Sequence, residues 1–243
     1  ANKLYGKYTD QMIVVSNFQY SHIITSELQK KTVVIHNGID LDYFQPREKS
    51  KNLLKKFNIQ GDDIVFVSVA GTALHKGWQF LVEATSKLDN ELRKNIKIII
   101  VGNSPKDEIM KQYVNQLNMQ NNVIFTGFMN DVREAVSIAD IGFVLSIGVE
   151  TISFACREMM SMGKPVLVSA YAGLSENINN NQNGWVVKQK SSNQVYKFLQ
   201  KINELDLQQY AYMAKQKANQ EFGSVKFVNS TIDLYRKIKG TGL

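Results

Sequence analysis

Short apolar runs rich in β-branched residues alternate along this chain with longer stretches of helical period. Two of the runs, IVFVSVA (64–70) and IKIIIVG (96–102), are apolar at nearly every position. A strand with one wet face alternates apolar and polar residues, whereas a run that does not alternate is covered on both faces, as a parallel strand is between two layers of helices. Parallel neighbours need a crossover of about a dozen residues or more, and helical segments fill the intervals here. The expected fold is α/β, an open, doubly wound parallel sheet. Further strands are expected at 12–15, 32–35, 123–125, 141–145, 165–168 and 185–187. Helices are expected at 17–28, 78–88, 105–117, 132–139 with Asp131 as N-cap, 153–162 and 192–205. Strand signals stop after Leu205, and two helices at 207–222 and 225–237, broken at Phe222-Gly223-Ser224, finish the chain.

The first 38 residues sit apart from that pattern. They offer a strand, a helix and a second strand ending in the turn-like His36-Asn37-Gly38. A connection containing Pro46, Arg47, Glu48 and Lys49 follows and reads as a linker. The expectation is a domain that ends here without having begun. There is no internal repeat or low-complexity tract.

With 44% hydrophobic residues, the 243-residue chain can bury an ordinary core. Its formal charge of +7 favours anionic partners, yet the lysines are spread along the whole chain, and the aromatics fall in apolar runs rather than between Lys and Arg. Nucleic acid is therefore not the expected partner. No stretch approaches the roughly 20 apolar residues of a membrane span, and the N-terminus lacks the apolar core of a signal peptide. The expectation is a soluble, cytoplasmic chain whose membrane contact, if it has any, is peripheral. The single cysteine, Cys156, falls within a helical stretch and reads as a buried, inert thiol.

Three glycine turns follow strands and precede helices, on the edge of a parallel sheet where ligands collect. In the first, Gly71-Thr72-Ala73-Leu74-His75-Lys76-Gly77, Gly71 lets an anion approach the backbone and Lys76 supplies positive charge to a diphosphate. The alternative is an ordinary turn with a solvated lysine. The second is Gly102-Asn103-Ser104-Pro105, with Pro105 suited to a first helical position. The third, Thr126-Gly127-Phe128-Met129, can present backbone groups to a nucleobase edge.

Glu150 and Glu158 stand eight positions apart where a loop turns into a helix. Were both helical, their side chains would lie about 80° apart; a helix beginning near Ile152 instead frees Glu150 to point into the crevice. The two carboxylates can then grip different hydroxyl-bearing parts of one ligand, with first-turn amides left for a phosphate between them. The ligand this suggests is a sugar nucleotide. The alternative has Glu150 capping the helix and Glu158 paired with Lys164 or Arg157. Met159, Met160 and Met162 read as core. His22, His36 and His75 have no metal-like spacing, no metal is expected, and neither a P-loop nor a G-x-G-x-x-G turn is present.

Taken in order, VVIHNGID (33–40), AGTALHKG (70–77), IIIVGNSP (98–105), VIFTGF (123–128), the E-x7-E segment (150–158), GKPVLVS (163–169) and AGLSENI...NGWVV (172–187) resemble the retaining glycosyltransferases built of two Rossmann-like domains, the GT-B type. The resemblance is to the large bacterial group that includes lipopolysaccharide and capsule enzymes. It implies that residues 39–222 are the C-terminal, donor-binding domain, that 1–38 are the end of an N-terminal acceptor domain, and that 223–243 form the helix that crosses back onto it. By position, Gly71, Thr72 and Lys76 would meet the donor diphosphate, Gly102 and Asn103 would line the site, and Phe128 and Met129 would meet the base. Glu150 and the amides of Ile152, Ser153 and Phe154 would hold sugar and phosphate, with Glu158 on the ribose; Glu150 and Lys76 would be the catalytic groups.

The implied chemistry is a front-face substitution that retains anomeric configuration, without a bound metal, from a nucleotide-diphosphate sugar to a cell-surface glycan or glycolipid. Two positions depart from the family pattern: Thr72 stands where relatives usually carry arginine, and Thr151, Ile152 and Ser153 replace a small residue, an aromatic and a glycine. Lacking most of the acceptor domain, the chain is expected to bind donor and to transfer sugar weakly or not at all alone. A naturally separate donor-binding subunit of a split enzyme is the alternative.

Overall fold

The computed structural model describes residues 7–103 and 107–240. Two parallel strands, β1 (Met12–Val14) and β2 (Thr32–Val34), pair through Met12–Thr32, Ile13–Val33 and Val14–Val34. Between them lie α1 (Asn17–Ser21) and α2 (Ser26–Lys30) rather than the single helix expected at 17–28. Ser16 caps α1 by accepting from the Gln19 N–H, the helix stops at His22, and the β-branched run Ile23-Ile24-Thr25 intervenes before α2.

The main sheet is β3 (Ile64–Ser68), β4 (Ile96–Ile100), β5 (Val123–Phe125), β6 (Ile141–Val144), β7 (Val166–Ser169) and β8 (Gly184–Val187). Its strands lie parallel in the spatial order β5-β4-β3-β6-β7-β8. The chain winds outward from β3 to β5, then returns to β6 beside β3, so the order reverses between these two strands and leaves a crevice at their C-terminal ends.

Both faces are covered, as the non-alternating runs require. On one face α4 (Trp78–Ser86), α6 (Asp107–Gln116) and α9 (Ser192–Leu199) set Trp78, Leu81, Val114, Val195 and Leu199 against Phe66, Ile98, Phe143 and Trp185. On the other, α8 (Phe154–Ser161) and α10 (Leu207–Glu221) bring Cys156, Met159, Met160, Ala214 and Ala218 onto Val144, Val166 and Val168. Beside them α3 (Lys51–Lys56) and α7 (Val132–Ser137) cover Val65, Val67 and Ile99 with Leu53, Ala135 and neighbouring residues. Alternate residues of β3 and β4 thus serve opposite layers.

Two short helices lie where the sequence suggested none: α3, inside the expected linker and capped by Ser50, and α5 (Asn90–Lys94), capped by Asp89. The helix expected at 192–205 ends at Leu199, and a 3-10 turn at Ile202–Glu204 follows. Asp131 caps α7 as expected, accepting from the Arg133 N–H. The last helix, α11 (Ser224–Gly240), has no buried residue among those described, and Val228, Ile232 and Tyr235 are exposed. Pro105 lies outside the described residues.

Candidate functional site

The loops after β3 and β6 meet over the switch point between those strands. A 3-10 turn at Leu74–Lys76 ends at Gly77, whose φ of +76° and whose approach to the Leu145 carbonyl exclude a side chain: a Cβ there would lie 1.8 Å from that oxygen. The turn delivers Lys76 to the far loop, where its Nζ donates to Glu150 Oε2 at 3.2 Å. The same carboxylate accepts from Ser146 Oγ at 3.3 Å and from the Thr151 N–H at 3.2 Å. Lysine and glutamate side chains are 20% and 10% exposed, so the pair is largely shielded yet reachable from the crevice.

Glu150 does not cap the following helix. Ser153 does, accepting from the Cys156 N–H, with φ +62° and ψ +104°, a backbone that a side chain strains. The N–H groups of Ile152, Ser153 and Phe154 have no acceptor among the described residues, as helix geometry leaves first-turn amides. One turn further on, Glu158 is partly buried, and its carboxylate makes no hydrogen bond or ion pair with any described residue. Burial raises its pKa above the ordinary glutamate value.

Neither alternative partner reaches it. Arg157 turns to Asn177 and the Asn37 carbonyl, and Lys164 donates to the carbonyls of Ser137 and Ala139 at 3.2 and 2.7 Å. Cys156 is fully buried and its thiol is pushed up to about 12, an inert group as expected.

The three glycine turns are tied together. Gly102 and Gly127 form a bridge; Thr72 Oγ1 donates to the Asn103 carbonyl at 2.9 Å; the Phe128 N–H donates to Asn103 Oδ1 at 2.7 Å; and Trp78 Nε1 donates to the Thr72 carbonyl at 2.7 Å. Gly71, at φ +93°, has nothing within 4 Å of where a Cβ would stand, so its backbone is open to an approaching group. A cavity of about 530 Å³ lined by Leu74, Trp78, Ile109 and Tyr113 lies beside this loop, and neither Glu150 nor Glu158 lines it.

The family described as Glycosyl transferases group 1 matches residues 49–220. The chain belongs to this family. An uncharacterized glycosyltransferase of Methanocaldococcus jannaschii is 25% identical over 93% of the chain and 60% of its own length; the putative glycosyltransferase EpsD of Bacillus subtilis is 26% identical over 76% and 49%. Among solved structures, a glycosyltransferase from Rickettsia africae superposes with a TM-score of 0.87 at 23% identity, covering 98% of this chain and 66% of that one. Anabaena HepE in complex with UDP superposes with a TM-score of 0.85 at 20% identity, covering 97% and 66%. The chain thus spans about half to two thirds of the length of these proteins.

In this group 1 glycosyltransferase chain, the residues singled out in the sequence divide into two sets. Lys76 and Glu150 are brought together, with the Ile152–Phe154 amides next in the same loop, Glu158 one helical turn beyond Phe154 and Gly71 at the start of the turn that carries Lys76. Thr72 is 4% exposed, and its hydroxyl and the Asn103 side chain are engaged in bracing the turns. Phe128, 71% exposed, is free to present its ring, and Met129 is half-buried beside it. Ser104 lies outside the described residues. Sequence reasoning overlooked Ser146, the hydroxyl on Glu150, and Asn177, which stands inside the AGLSENI segment with nothing in its neighbours to mark it.

Proposed function

We propose that the chain is the donor-binding part of a retaining glycosyltransferase that moves a hexose-type sugar from a nucleotide-diphosphate sugar to a cell-surface glycan or glycolipid. The observation that carries this reading is Glu158: a partly buried carboxylate with no partner among the described residues, one helical turn beyond the Ile152–Phe154 amides, which follow Glu150 and its Lys76 partner in the same loop. Leaving a carboxylate buried and unpaired is costly, and a ligand's hydroxyls remove that cost. Ribose hydroxyls donate to Glu158, the diphosphate lies against the Ile152–Phe154 amides and Lys76, and sugar hydroxyls donate to Glu150. Phe128 and Met129 border the base.

Transfer needs stabilisation of the negative charge that grows on the departing diphosphate as its bond to the anomeric carbon breaks. Lys76 and the amides supply it, with no resident metal in the proposed mechanism. The acceptor hydroxyl attacks from the face that the diphosphate leaves, its proton passes to the departing phosphate oxygen, and configuration is retained. The relative solved with UDP and UDP-glucose favours a uridine donor. In this reading residues 39–222 form the donor unit, 1–38 and 223–243 belong with an acceptor domain, and the setting is cytoplasmic, with peripheral membrane contact through the acceptor side.

A thermal-shift panel of UDP, GDP and ADP sugars tests the reading. A rise in Tm with the uridine compounds, absent in Lys76→Ala, is expected; no shift with any of them contradicts donor binding.

A further inference from the structure

Arg157 precedes Glu158 on α8 and faces the interior, with 1% of its surface exposed. No carboxylate among the described residues hydrogen-bonds it. Its Nε donates to Asn177 Oδ1 at 2.8 Å, its Nη1 donates to the Asn37 carbonyl, and its guanidinium lies 4.5 Å over the Phe222 ring. Asn37 and Phe222 belong to the two stretches where the chain passes between the β1–β2 unit with α11 and the main sheet. These stretches are joined to each other: the Ile39 N–H donates to the Phe222 carbonyl at 2.8 Å, and the Ser224 N–H donates to the Ile39 carbonyl at 2.9 Å.

Asn177, itself fully buried, uses its other end on the donor side. Its Nδ2 donates to the Ile152 carbonyl at 2.5 Å and to the Leu174 carbonyl at 3.2 Å. The Ile152 carbonyl shares a rigid peptide plane with the Ser153 N–H, on its opposite side. Whatever fixes that carbonyl therefore aims that N–H. A continuous path runs from the crossings through Arg157 and Asn177 to a free amide of the turn.

We propose that Arg157 and Asn177 are positioning residues: they aim the Ile152–Phe154 amides at the donor diphosphate and couple that turn to the two chain crossings, so that donor occupancy and the seating of residues 7–36 on the sheet influence one another. This rests on the donor-site reading above. The direction is reciprocal, since any ligand that tightens the turn through this path also tightens the crossings, by the same coupling free energy.

Hydrogen exchange of the full chain, with and without saturating UDP, reads both ends. In the native chain UDP slows exchange at residues 150–156 and also at 37–40 and 222–226. Asn177→Asp keeps an acceptor for Arg157 and removes the donor to Ile152; it retains the fold and weakens UDP binding about tenfold, the scale of one lost buried hydrogen bond. Arg157→Met keeps the Asn177–Ile152 bond and cuts the link to the crossings; it binds UDP within about threefold of the native chain while the crossings cease to respond. Protection confined to 150–156 in the native chain overturns the coupling without any variant, and native UDP affinity in Asn177→Asp overturns the positioning role. Absence of UDP binding to the native chain overturns the donor reading and the coupling with it.

Discussion

Glu158 holds two opposed demands in one side chain. Its pKa is raised by burial, so the folded chain keeps the proton to a higher pH than the unfolded chain does. The resulting destabilisation is absent below the ordinary glutamate value and complete above the raised one. Glu158→Gln is therefore expected to raise the Tm of the ligand-free chain near neutral pH, measured by calorimetry, even as it removes the proposed ribose-binding group. On the proposed ribose-binding role of Glu158, UDP affinity of the native chain falls as pH drops through the raised pKa, because only the carboxylate accepts from both hydroxyls; in Glu158→Gln that component of the pH profile disappears. Ser153→Gly tests the neighbouring turn. Relief of a side chain at φ +62° amounts to about 1 kcal/mol or more, against a few tenths for exchanging a serine cap for glycine, so a Tm increase is expected. What the sequence concealed at this scale was orientation: Lys164 and Arg157 were both eligible partners for Glu158, and only the fold turns them to carbonyls elsewhere.

At the scale of elements, α7 is held by a charge cluster as well as by apolar packing. Asp131 caps its first turn, pairs with Arg133 at 2.7 Å and reaches Arg47 at 3.1 Å; the Arg133 hydrogen bond, with lesser help from Arg47, pulls its pKa down to about 2. A depressed carboxylate stabilises the fold above its unfolded pKa, and that stabilisation is lost as pH falls through the folded value. Asp131→Ala is expected to cost about 1–2 kcal/mol in urea unfolding at pH 7, with the difference from the native chain shrinking between about pH 4 and pH 2. Strands were the readily legible elements, since IVFVSVA and IKIIIVG fit little other than buried parallel strands. The helices that escaped, α3 with KNLLKK and α5 with NELRK, are short and mostly polar, and they form because Ser50 and Asp89 cap them against the sheet. The split between α1 and α2 was likewise hidden, because a stretch of helical period does not reveal where the β-branched run Ile23-Ile24-Thr25 interrupts it.

Across the whole molecule, the strand reversal between β3 and β6 turns scattered motifs into one site. It brings a lysine from the first loop within 3.2 Å of a glutamate 74 residues later, in a loop that leads to amides and, one helical turn on, to a carboxylate that have no partner among the described residues. The order of motifs made that assembly legible before any coordinates, whereas the bracing of Thr72 and Asn103, and the path through Arg157 and Asn177, follow from contacts between segments far apart in the chain. Residues 7–36 are fastened to the same region: Glu176, in the turn after β7, accepts from the Asn17 and Phe18 N–H groups at 2.9 and 2.8 Å and so caps α1. Calorimetric titration of the native chain and Glu158→Gln with UDP under the same conditions is the most direct test of the donor site. The account predicts one UDP per native chain and binding about 10- to 100-fold weaker in the variant, the scale of one to two charge-assisted hydrogen bonds. Equal affinity in the two, or no binding to the native chain, would contradict it.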